Sequence, residues 1–270
     1  MKSSYRPQET SLHKHAKSPY IIQTVSRALD LLEQFQLDEN ELGVTELSRR
    51  MKLHKNNVFR LLATLESRDY VEQNQSTGNY HLGFKNLELG QSILRQSGIL
   101  RQSRSTLEEL TAGSGETSYV AVLRDFRSVY LDSVESVLPL RVVPRLGSSF
   151  PAHCTATGKV QIAEYSSDLL ASTLNGSELQ RFTAKTRTDP HDFLLELEQV
   201  AVQGYAIEDE ELYEGVRCVA APIRDYTKKI IGAISISGPA IRLTDQRLES
   251  ELISLVLKSA GELSARLGCR

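Results

Sequence analysis

The stretch 44–82 constrains the fold of this chain more than any other, because two helical patterns and a hairpin signal follow one another there. Short strand-like runs surround Gly78, a residue type that favours turns. The second helical pattern carries one apolar stripe at i, i+3, i+4 and i+7, formed by Val58, Leu61, Leu62 and Leu65. An order of helix, turn, helix and wing is typical of a DNA-binding module.

The face opposite this stripe is polar. At about 100° per residue it carries Asn56, Arg60 and Ala63, with Thr64 on its flank. In the major groove, Arg binds guanine bidentately and Asn binds adenine in the same way. The predicted DNA contacts come from the helix starts, this face and the wing, and they are Thr45, His54, Lys55, Asn56, Asn57, Arg60, Thr64 and Thr77.

The charge of the N-terminal third leaves a second interpretation open. Residues 1–82 hold eleven Lys or Arg and ten Asp or Glu, a net charge of about +1, whereas DNA-binding domains are often more basic. Two short helices and a hairpin occur in many folds, and a polar helix face is usually only solvated. The positive charge is clustered in the N-terminal tail and around the helix pair, where Arg49, Arg50 and Lys52 are expected to reach phosphates.

Further elements complete a small N-terminal core. The first helix of the pair is predicted over 44–51, with Thr45 as its cap and Leu47 and Met51 facing inward. Strands over 70–73 and 79–82 form the wing. An earlier helix is predicted to face inward through Ile22, Val25, Ala28, Leu29, Leu32 and Phe35.

Length and composition predict two globular domains. The chain has 270 residues, 40% of them hydrophobic and 24% charged, and each half can bury a core. No apolar run approaches 18 residues and the N-terminus lacks a signal-peptide core, so neither a membrane span nor secretion is expected. The scattered Cys154, Cys218 and Cys269 indicate no disulfide framework, no metal site and no cofactor, in keeping with a reducing cytoplasm.

The second half alternates strands and helices. Strands are predicted in "TSYVAVL" and "SVYLDSV" around the turn "RDFR", and a further strand and loop in "LRVVPRLGSSFP". "VRCVAAPIRD" and "KKIIGAISISG" form a central hairpin, and a long helix capped by Thr244 ends the chain. This order predicts an α+β domain with helices packed over a sheet.

Several motifs in one order resemble the IclR family of bacterial transcription regulators. "GETSYVAVL", "PAHCTATGKV", "EDEE…GVRCVAAPI" and "AISISGPAIRLT" are similar to its C-terminal ligand-binding domain, and "TELSRRMKLHKNNVFRLLATLESRDYVEQNQSTGNYHLG" resembles its winged-helix half. The resemblance runs from about Tyr20 to the C-terminus. It implies a winged helix-turn-helix, a linker helix and a GAF-like antiparallel sheet domain with flanking helices.

The domain organisation follows from the pattern and the resemblance together. We expect a disordered arm at 1–18, a winged helix-turn-helix domain at 19–82, a linker helix at 83–98 and an effector-binding domain at 99–270. Family members bind palindromic operators in double-stranded DNA as homodimers or homotetramers, and many respond to small organic or aromatic acids. Repressors and activators share this architecture. One departure is Asn56-Asn57 where members often carry Ser-Thr, which changes the expected operator sequence.

The residues of the second half predict an anion site. A helix starting near Thr155 would direct the amides of Ala156, Thr157 and Gly158 outward, and Gly158 would let a ligand or a neighbouring backbone approach. Ser235 and Ser237 share one strand face. The resemblance places the effector, a small carboxylate or aromatic acid, against Val142, Phe150, Ala156, Thr157, Asp209, Val216, Cys218, Ser235 and Ser237.

Other interpretations of these residues, and two other functions for the whole chain, remain open from sequence. Cys218 is more often a small buried residue than a nucleophile, and His153 serves equally well as a structural residue bonding a loop carbonyl. The run "EDEE" from Glu208 is usually solvated, although Asp209 alone could turn inward. A Cys/His hydrolase built from His153, Cys154, His191 and Cys218 would be an enzyme, but no nucleophile-elbow motif supports it. A DNA-binding scaffold without a small ligand is the second alternative function.

Overall fold

The computed structural model describes residues 20–36, 41–96, 98–143, 146–166, 169–170 and 179–269, with side chains described there except at 91 and 93–96. The chain forms two compact units, Met1–Ile93 and Leu94–Arg270. The arm predicted at 1–18 lies outside the described residues. Within the described ranges, no helix is long and apolar enough to cross a membrane.

The N-terminal unit is a winged helix-turn-helix. Leu31, Leu47, Val58 and Tyr80 contribute to its single apolar core. The two wing strands pair antiparallel and meet at a turn in which Gly78 has a φ of 72°. The elements are α1 (Gln23–Glu33), α2 (Val44–Met51), α3 (Lys55–Glu66), β1 (Val71–Gln73) and β2 (Tyr80–Leu82).

The caps of the helix pair differ from the prediction. Thr45 does not cap α2, because Gly43 occupies the N-cap and Thr45 lies exposed inside the first turn. The N-cap of α3 is His54, whose Nδ1 accepts a hydrogen bond from the Asn56 amide at 3.3 Å. Asn56 and Asn57 therefore lie in the first turn of α3, and their side chains are free of a capping role.

The predicted inward face of α1 is wrong in part. Ile22, Val25 and Leu29 are 69%, 54% and 55% exposed, whereas Leu31 and Phe35 are buried in the core. The segment carries two apolar stripes at helical spacing, and only one of them can face α2 and α3. The other stripe remains on the surface of this unit.

A helix follows the wing, α4 (Phe84–Gln96). The Asn86 side chain fixes its start by donating to the carbonyl oxygens of Tyr70 and Gly83 at 2.7 and 2.9 Å. The sequence predicts an apolar face of Phe84, Leu87, Ile93 and Leu94 for this helix; Phe84 and Leu87 are exposed, and the side chains of the other two lie outside the described residues. The next helix is α5 (Gly98–Ser114).

The C-terminal unit is built on one antiparallel sheet in the order β5-β4-β3-β8-β7-β6. Its described elements are β3 (Thr117–Arg124), β4 (Arg127–Val134), β5 (Ser149–Pro151), α6 (Ala156–Ile162), α7 (Pro190–Gln203), β6 (Ala206–Asp209), β7 (Val216–Arg224), β8 (Ile230–Pro239), α8 (Asp245–Arg247) and α9 (Ile253–Arg266).

Helices cover both faces of this sheet. Helices α5 and α9 pack on one face around Leu107, Ile234 and Val256, whereas α6 and α7 lie on the other around Ala156, Val200 and Cys218. The result is the predicted α+β architecture, an antiparallel sheet with flanking helices. The alternation of small and large apolar residues along β7 and β8 explains the sidedness, because successive strand residues point to opposite faces.

Local sequence explains the tight connections. The predicted turn between β3 and β4 places Asp125 and Phe126 at φ of 49° and 56°, the two positive values of a type I′ hairpin turn. Gly204 ends α7 in the left-handed conformation, and the Thr244 hydroxyl caps α8 by accepting from the Arg247 amide. The strand over 206–209 was not predicted.

Candidate recognition helix and effector site

The predicted recognition surface on α3 is exposed. His54, Lys55, Asn56, Asn57, Arg60 and Thr64 all lie on the surface of the N-terminal unit. The opposite stripe holds the helix against the core and leaves this polar face uncovered. The Thr64 hydroxyl donates to the Arg60 carbonyl oxygen at 2.8 Å, so this hydroxyl already has an acceptor within the helix.

Two of the arginines expected at phosphates have a carboxylate partner instead. Glu46 of α2 accepts from Arg49 Nη2 at 2.7 Å and from Arg50 Nε at 2.6 Å. Hydrogen bonds from Arg49 and Arg50 lower the pKa of the Glu46 carboxyl to about 2. The positive charge near α3 is therefore carried by Lys52, Lys55 and Arg60 more than by this pair.

The wing turn is organised by a carboxylate as well. Thr77 Oγ1 donates to Glu41 Oε2 at 2.8 Å, and Asn74 Nδ2 donates to Glu41 Oε1 at 2.6 Å. The Asn74 bond is the main cause of a lowered pKa for Glu41. Thr77 remains exposed, but its hydroxyl already has an acceptor.

In the C-terminal unit, strand register places Phe150, Cys218, Ser235 and Ser237 of the predicted effector residues on one sheet face. Cys218 lies opposite Ser237, Tyr119 opposite Ser235, and Ser128 opposite Phe150. Paired residues in an antiparallel sheet share a face. Helix α6 packs on this same face through Ala156.

A buried polar cluster lies at the centre of this face. Cys218 Sγ is 2.7 Å from Ser237 Oγ and accepts from the Tyr119 hydroxyl at 3.7 Å. Glu208, only 2% exposed, pairs with Cys218 across β6 and β7. Glu208 Oε1 accepts from the amides of Glu211 and Leu212 at 2.6 and 3.1 Å.

Burial controls the protonation of this cluster. It raises the pKa of the Glu208 carboxyl from 4.5 to about 7, although hydrogen bonds from Cys218 and the Leu212 amide oppose the rise. It also raises the pKa values of the Cys218 thiol and the Tyr119 hydroxyl. The cluster therefore presents neutral hydrogen-bond donors, with a carboxyl group that titrates near neutral pH.

Aromatic side chains form one wall beside the cluster. The ring centroid of Tyr130 is 4.5 Å from that of Tyr119 and 5.4 Å from that of Phe150, and the Tyr213 ring meets Phe150 at 6.1 Å. The Val142 carbonyl oxygen accepts a hydrogen bond from the Thr117 hydroxyl at 2.7 Å. Polar groups beside an aromatic wall are suited to a small ligand with one charged end.

The start of α6 adds a hydroxyl and shows why a glycine follows it. Thr157 Oγ1 is 2.7 Å from Ser128 Oγ, and the Gly158 amide donates to the capping Thr155 hydroxyl at 3.2 Å. A Cβ atom at Gly158 would lie 2.4 Å from the Ala152 Cα atom. The neighbouring backbone of Ala152 thus requires glycine at this position.

A buried ion cluster holds α6 to the turn after β6. Lys159 is fully buried and donates to Glu196 Oε1 at 2.7 Å and to Glu211 Oε1 at 2.6 Å. The Glu211 main chain also binds Glu208, so one short segment connects the ion cluster to the polar cluster. Desolvation raises the pKa of Glu211 even though Lys159 opposes it.

Two predictions for residues 208–211 are wrong. Asp209 does not turn toward the site, and the "EDEE" run is not solvated throughout. Asp209 faces Arg217 and Lys185, with oxygen-to-nitrogen distances of 2.8 and 3.1 Å, whereas Glu208 and Glu211 are buried. Because side chains alternate along β6, Glu208 shares the sheet face of Cys218 and its neighbour Asp209 does not. Sequence reasoning missed Glu208, Tyr119 and Tyr130 as residues of this site. Their positions depend on how the strands pair, whereas the sequence shows only which residues alternate along each strand.

His153 and Cys154, two residues of the alternative Cys/His hydrolase, have surroundings that do not favour catalysis. His153 Nε2 is 2.9 Å from the Gln180 carbonyl oxygen, and desolvation lowers the pKa of its ring. Burial raises the pKa of the Cys154 thiol, so the thiol form is favoured over the nucleophilic thiolate. Ser235, which is not one of these residues, donates through Oγ to the Val219 carbonyl oxygen at 3.0 Å.

An exposed recognition helix with a wing, joined in one chain to an α+β sheet domain, defines a DNA-binding transcription regulator. The model for the C-terminal domain of bacterial IclR transcriptional regulators matches residues 91–265, and the model for the IclR helix-turn-helix domain matches residues 24–75. The chain belongs to the IclR family.

Individual relatives agree with this assignment. The chain is 33% identical over 252 residues to the HTH-type transcriptional regulator KdgR of Escherichia coli, covering 93% of this chain and 95% of that protein. It is similar to the crystal structure of the Thermotoga maritima IclR, with a TM-score of 0.76, 28% identity and coverage of 92% and 100%. An IclR homolog complexed with 4-hydroxybenzoate, from Microbacterium hydrocarbonoxydans, shares the fold at a TM-score of 0.78 and 21% identity, with coverage of 90% and 98%.

These relatives are regulators and not enzymes.

Proposed function

We propose that this regulator binds a palindromic operator through α3 and the wing, and that a small organic or aromatic acid in the C-terminal unit controls that binding. The observation that carries the proposal is the polar cluster on the sheet face under α6, beside an aromatic wall. DNA-binding regulators of this family work on genomic DNA, so we place the protein in the bacterial cytoplasm.

On the DNA side, the proposed base contacts come from Asn56, Asn57 and Arg60. All three are exposed, and within the described residues Arg60 has no carboxylate within ion-pair distance. Lys55 and His54 at the start of α3 and Thr45 of α2 are positioned for phosphates, because helix starts also carry amides suited to anions. Thr64 and Thr77 complete the proposed contact set.

On the effector side, Glu208 replaces Asp209 in the proposed site. A neutral carboxylic acid donates a hydrogen bond, so protonated Glu208 is suited to one oxygen of an effector carboxylate. The Thr157 hydroxyl and the backbone amide of Ala156 at the α6 start are suited to the other oxygen. The body of the effector would lie between Phe150, Val142 and Val216, near Ser235, Ser237 and Cys218, while Gly158 permits the close packing of α6.

Aromatic acids are one effector class that this arrangement favours. The rings of Phe150 and Tyr130 offer faces and edges to a phenyl group, and Tyr119 and Ser237 offer partners for a ring hydroxyl. The Microbacterium homolog, which binds 4-hydroxybenzoate, shares only the fold at its level of identity, and its ligand is one candidate to test.

Two DNA-binding heads are needed for a palindromic operator. The exposed apolar stripe of α1 (Ile22, Val25 and Leu29) and the exposed Leu87 of α4 support a homodimer or homotetramer. Apolar surface of this kind is typical of a face that another protein surface covers. Effector binding that changes the spacing of the paired heads would change operator affinity.

The test combines ligand stabilisation with DNA binding by the full chain. Benzoate, 4-hydroxybenzoate and acetate are compared with the neutral benzyl alcohol in a thermal-shift assay. A ligand at 100 times its Kd should stabilise the folded state by about 2.7 kcal/mol. The stabilising acid should then shift binding to DNA that flanks the protein's own gene, measured at several salt concentrations.

Matched variants decide which face binds. Thr157→Val and Ser237→Ala should weaken the thermal shift, whereas Asp209→Asn on the opposite sheet face should retain it. A shift lost with Asp209→Asn alone would contradict the proposed site. DNA binding without any stabilising acid would favour the ligand-free scaffold.

A further inference from the structure

Phe59 is an apolar residue on a polar surface. It lies in α3, directly after the fully buried Val58, and is turned about 100° around the helix from it. Its side chain is 55% exposed, while the stripe of Val58, Leu61, Leu62 and Leu65 is at most 9% exposed. The ring therefore contributes little to the core of the N-terminal unit.

The neighbours of Phe59 belong to the recognition face. Residues three and four apart are adjacent on a helix surface, so Asn56 lies one turn before Phe59 and Ala63 one turn after it. Arg60 follows it directly, and all of these residues are exposed. The ring thus extends the surface that Asn56 and Arg60 present to a DNA base edge.

Charge around this surface favours DNA over an apolar protein partner. Lys52, Lys55 and Arg60 are exposed close to the ring in sequence, and within the described residues none of them lies within ion-pair distance of a carboxylate. An apolar protein surface would have to desolvate these charges. A phosphate backbone would pair with them and bring a base edge to the ring.

One feature of the major groove is apolar. Each base pair presents hydrogen-bond donors and acceptors there, and thymine alone adds a C5-methyl group. Asn56 and Arg60 have the groups for hydrogen bonds, whereas the Phe59 ring can only make apolar contact. The small exposed side chain of Ala63 leaves room beside the ring and adds a methyl group of its own.

We propose that Phe59 is a specificity-determining residue that recognises a thymine methyl group in each operator half-site, next to the base contacted by Asn56. The proposal rests on the proposed binding of DNA by α3. It predicts that the methyl group contributes to affinity and that hydrogen-bonding atoms of the same base pair do not.

The experiment selects DNA with the full chain, so no operator has to be known. Duplexes with 20 random base pairs, a length chosen to span about two helical turns, are enriched by the wild-type chain, by Phe59→Ala and by Tyr226→Ala. Tyr226 is an exposed aromatic residue of the other unit and serves as the matched control. A second pool is made with deoxyuridine in place of thymidine, which removes the methyl group and keeps the base pairing.

The wild type and Tyr226→Ala should enrich thymine at one position of each half-site, and Phe59→Ala should lose that preference while it keeps the others. Replacing that thymine by uracil should weaken wild-type binding about fourfold per half-site, the effect of about 0.8 kcal/mol for one buried methyl group. Phe59→Ala should bind the two duplexes equally.

Either of two results would overturn the proposal. One is an unchanged thymine preference in Phe59→Ala, and the other is equal wild-type affinity for the thymine and uracil duplexes. The uracil comparison uses the wild-type chain and so does not depend on the folding of a variant. Failure of the wild type to enrich any sequence would instead refute DNA recognition by α3, which separates the two failures.

Discussion

Replacing Glu208 by Gln tests the description of the buried cluster most directly. Glu208 is 2% exposed, and its Oε1 atom accepts hydrogen bonds from the backbone amides of Glu211 and Leu212. Gln keeps an oxygen acceptor for these amides and has nearly the same shape. It cannot ionise, so the variant removes the titration and little else.

The magnitude follows from the pKa of Glu208, which burial raises from 4.5 to about 7. Below pH 4.5 the carboxyl is protonated in both folded and unfolded chains, and its contribution to stability is fully present. Between pH 4.5 and 7 the unfolded chain loses the proton while the folded chain keeps it, so stability falls. At about 1.4 kcal/mol per pKa unit, the loss reaches about 3 kcal/mol above pH 7.

The measurement is urea unfolding of both proteins by far-ultraviolet circular dichroism from pH 5 to 8.5. Glu208→Gln should gain about 2.5 kcal/mol relative to the wild type across this range, because part of the loss has already occurred at pH 5. Groups that do not contact Glu208 titrate in both proteins and cancel in the difference, whereas Glu211, whose charge contributes to the raised pKa of Glu208, is part of the measured effect. Glu249→Gln, at an exposed glutamate, is the control and should give a constant difference. A constant difference for Glu208→Gln as well would refute the buried, proton-binding state of this carboxyl.

Other substitutions test the packing around α6 and the sidedness of the sheet. Lys159→Met leaves the buried Glu211 carboxylate without its cation, while Glu196 keeps Arg187 at 2.7 Å, and should cost about 3–5 kcal/mol in urea unfolding, whereas Lys85→Met at an exposed pair should cost less than about 1 kcal/mol. Gly158→Ala should cost about 1–3 kcal/mol with or without an effector, because its Cβ would meet Ala152, and a neutral result would disprove the close approach. Asp209→Asn should leave effector affinity, measured by calorimetry, unchanged within about twofold.

Periodicity predicted the recognition helix well because its information is local. Val58, Leu61, Leu62 and Leu65 form a single stripe, so one face had to be buried and the opposite face had to be exposed. Helix α1 carries two such stripes, and periodicity could not choose between them. The choice was made by α2 and α3, which cover Leu31 and leave Val25 on the surface.

Local patterns in the sequence predicted most of the elements, their order and the family, although not the strand over 206–209, because helix stripes, strand alternation and turn residues act over a few neighbours. Which acid of 208–211 faces the cluster depends on strand register, since a shift of one residue in register moves every side chain to the other face of the sheet. The same register brought Tyr119 and Cys218 together, ninety-nine positions apart in the chain. Their shared desolvation, which sets the protonation of Glu208, is a property of that packing and of no local segment.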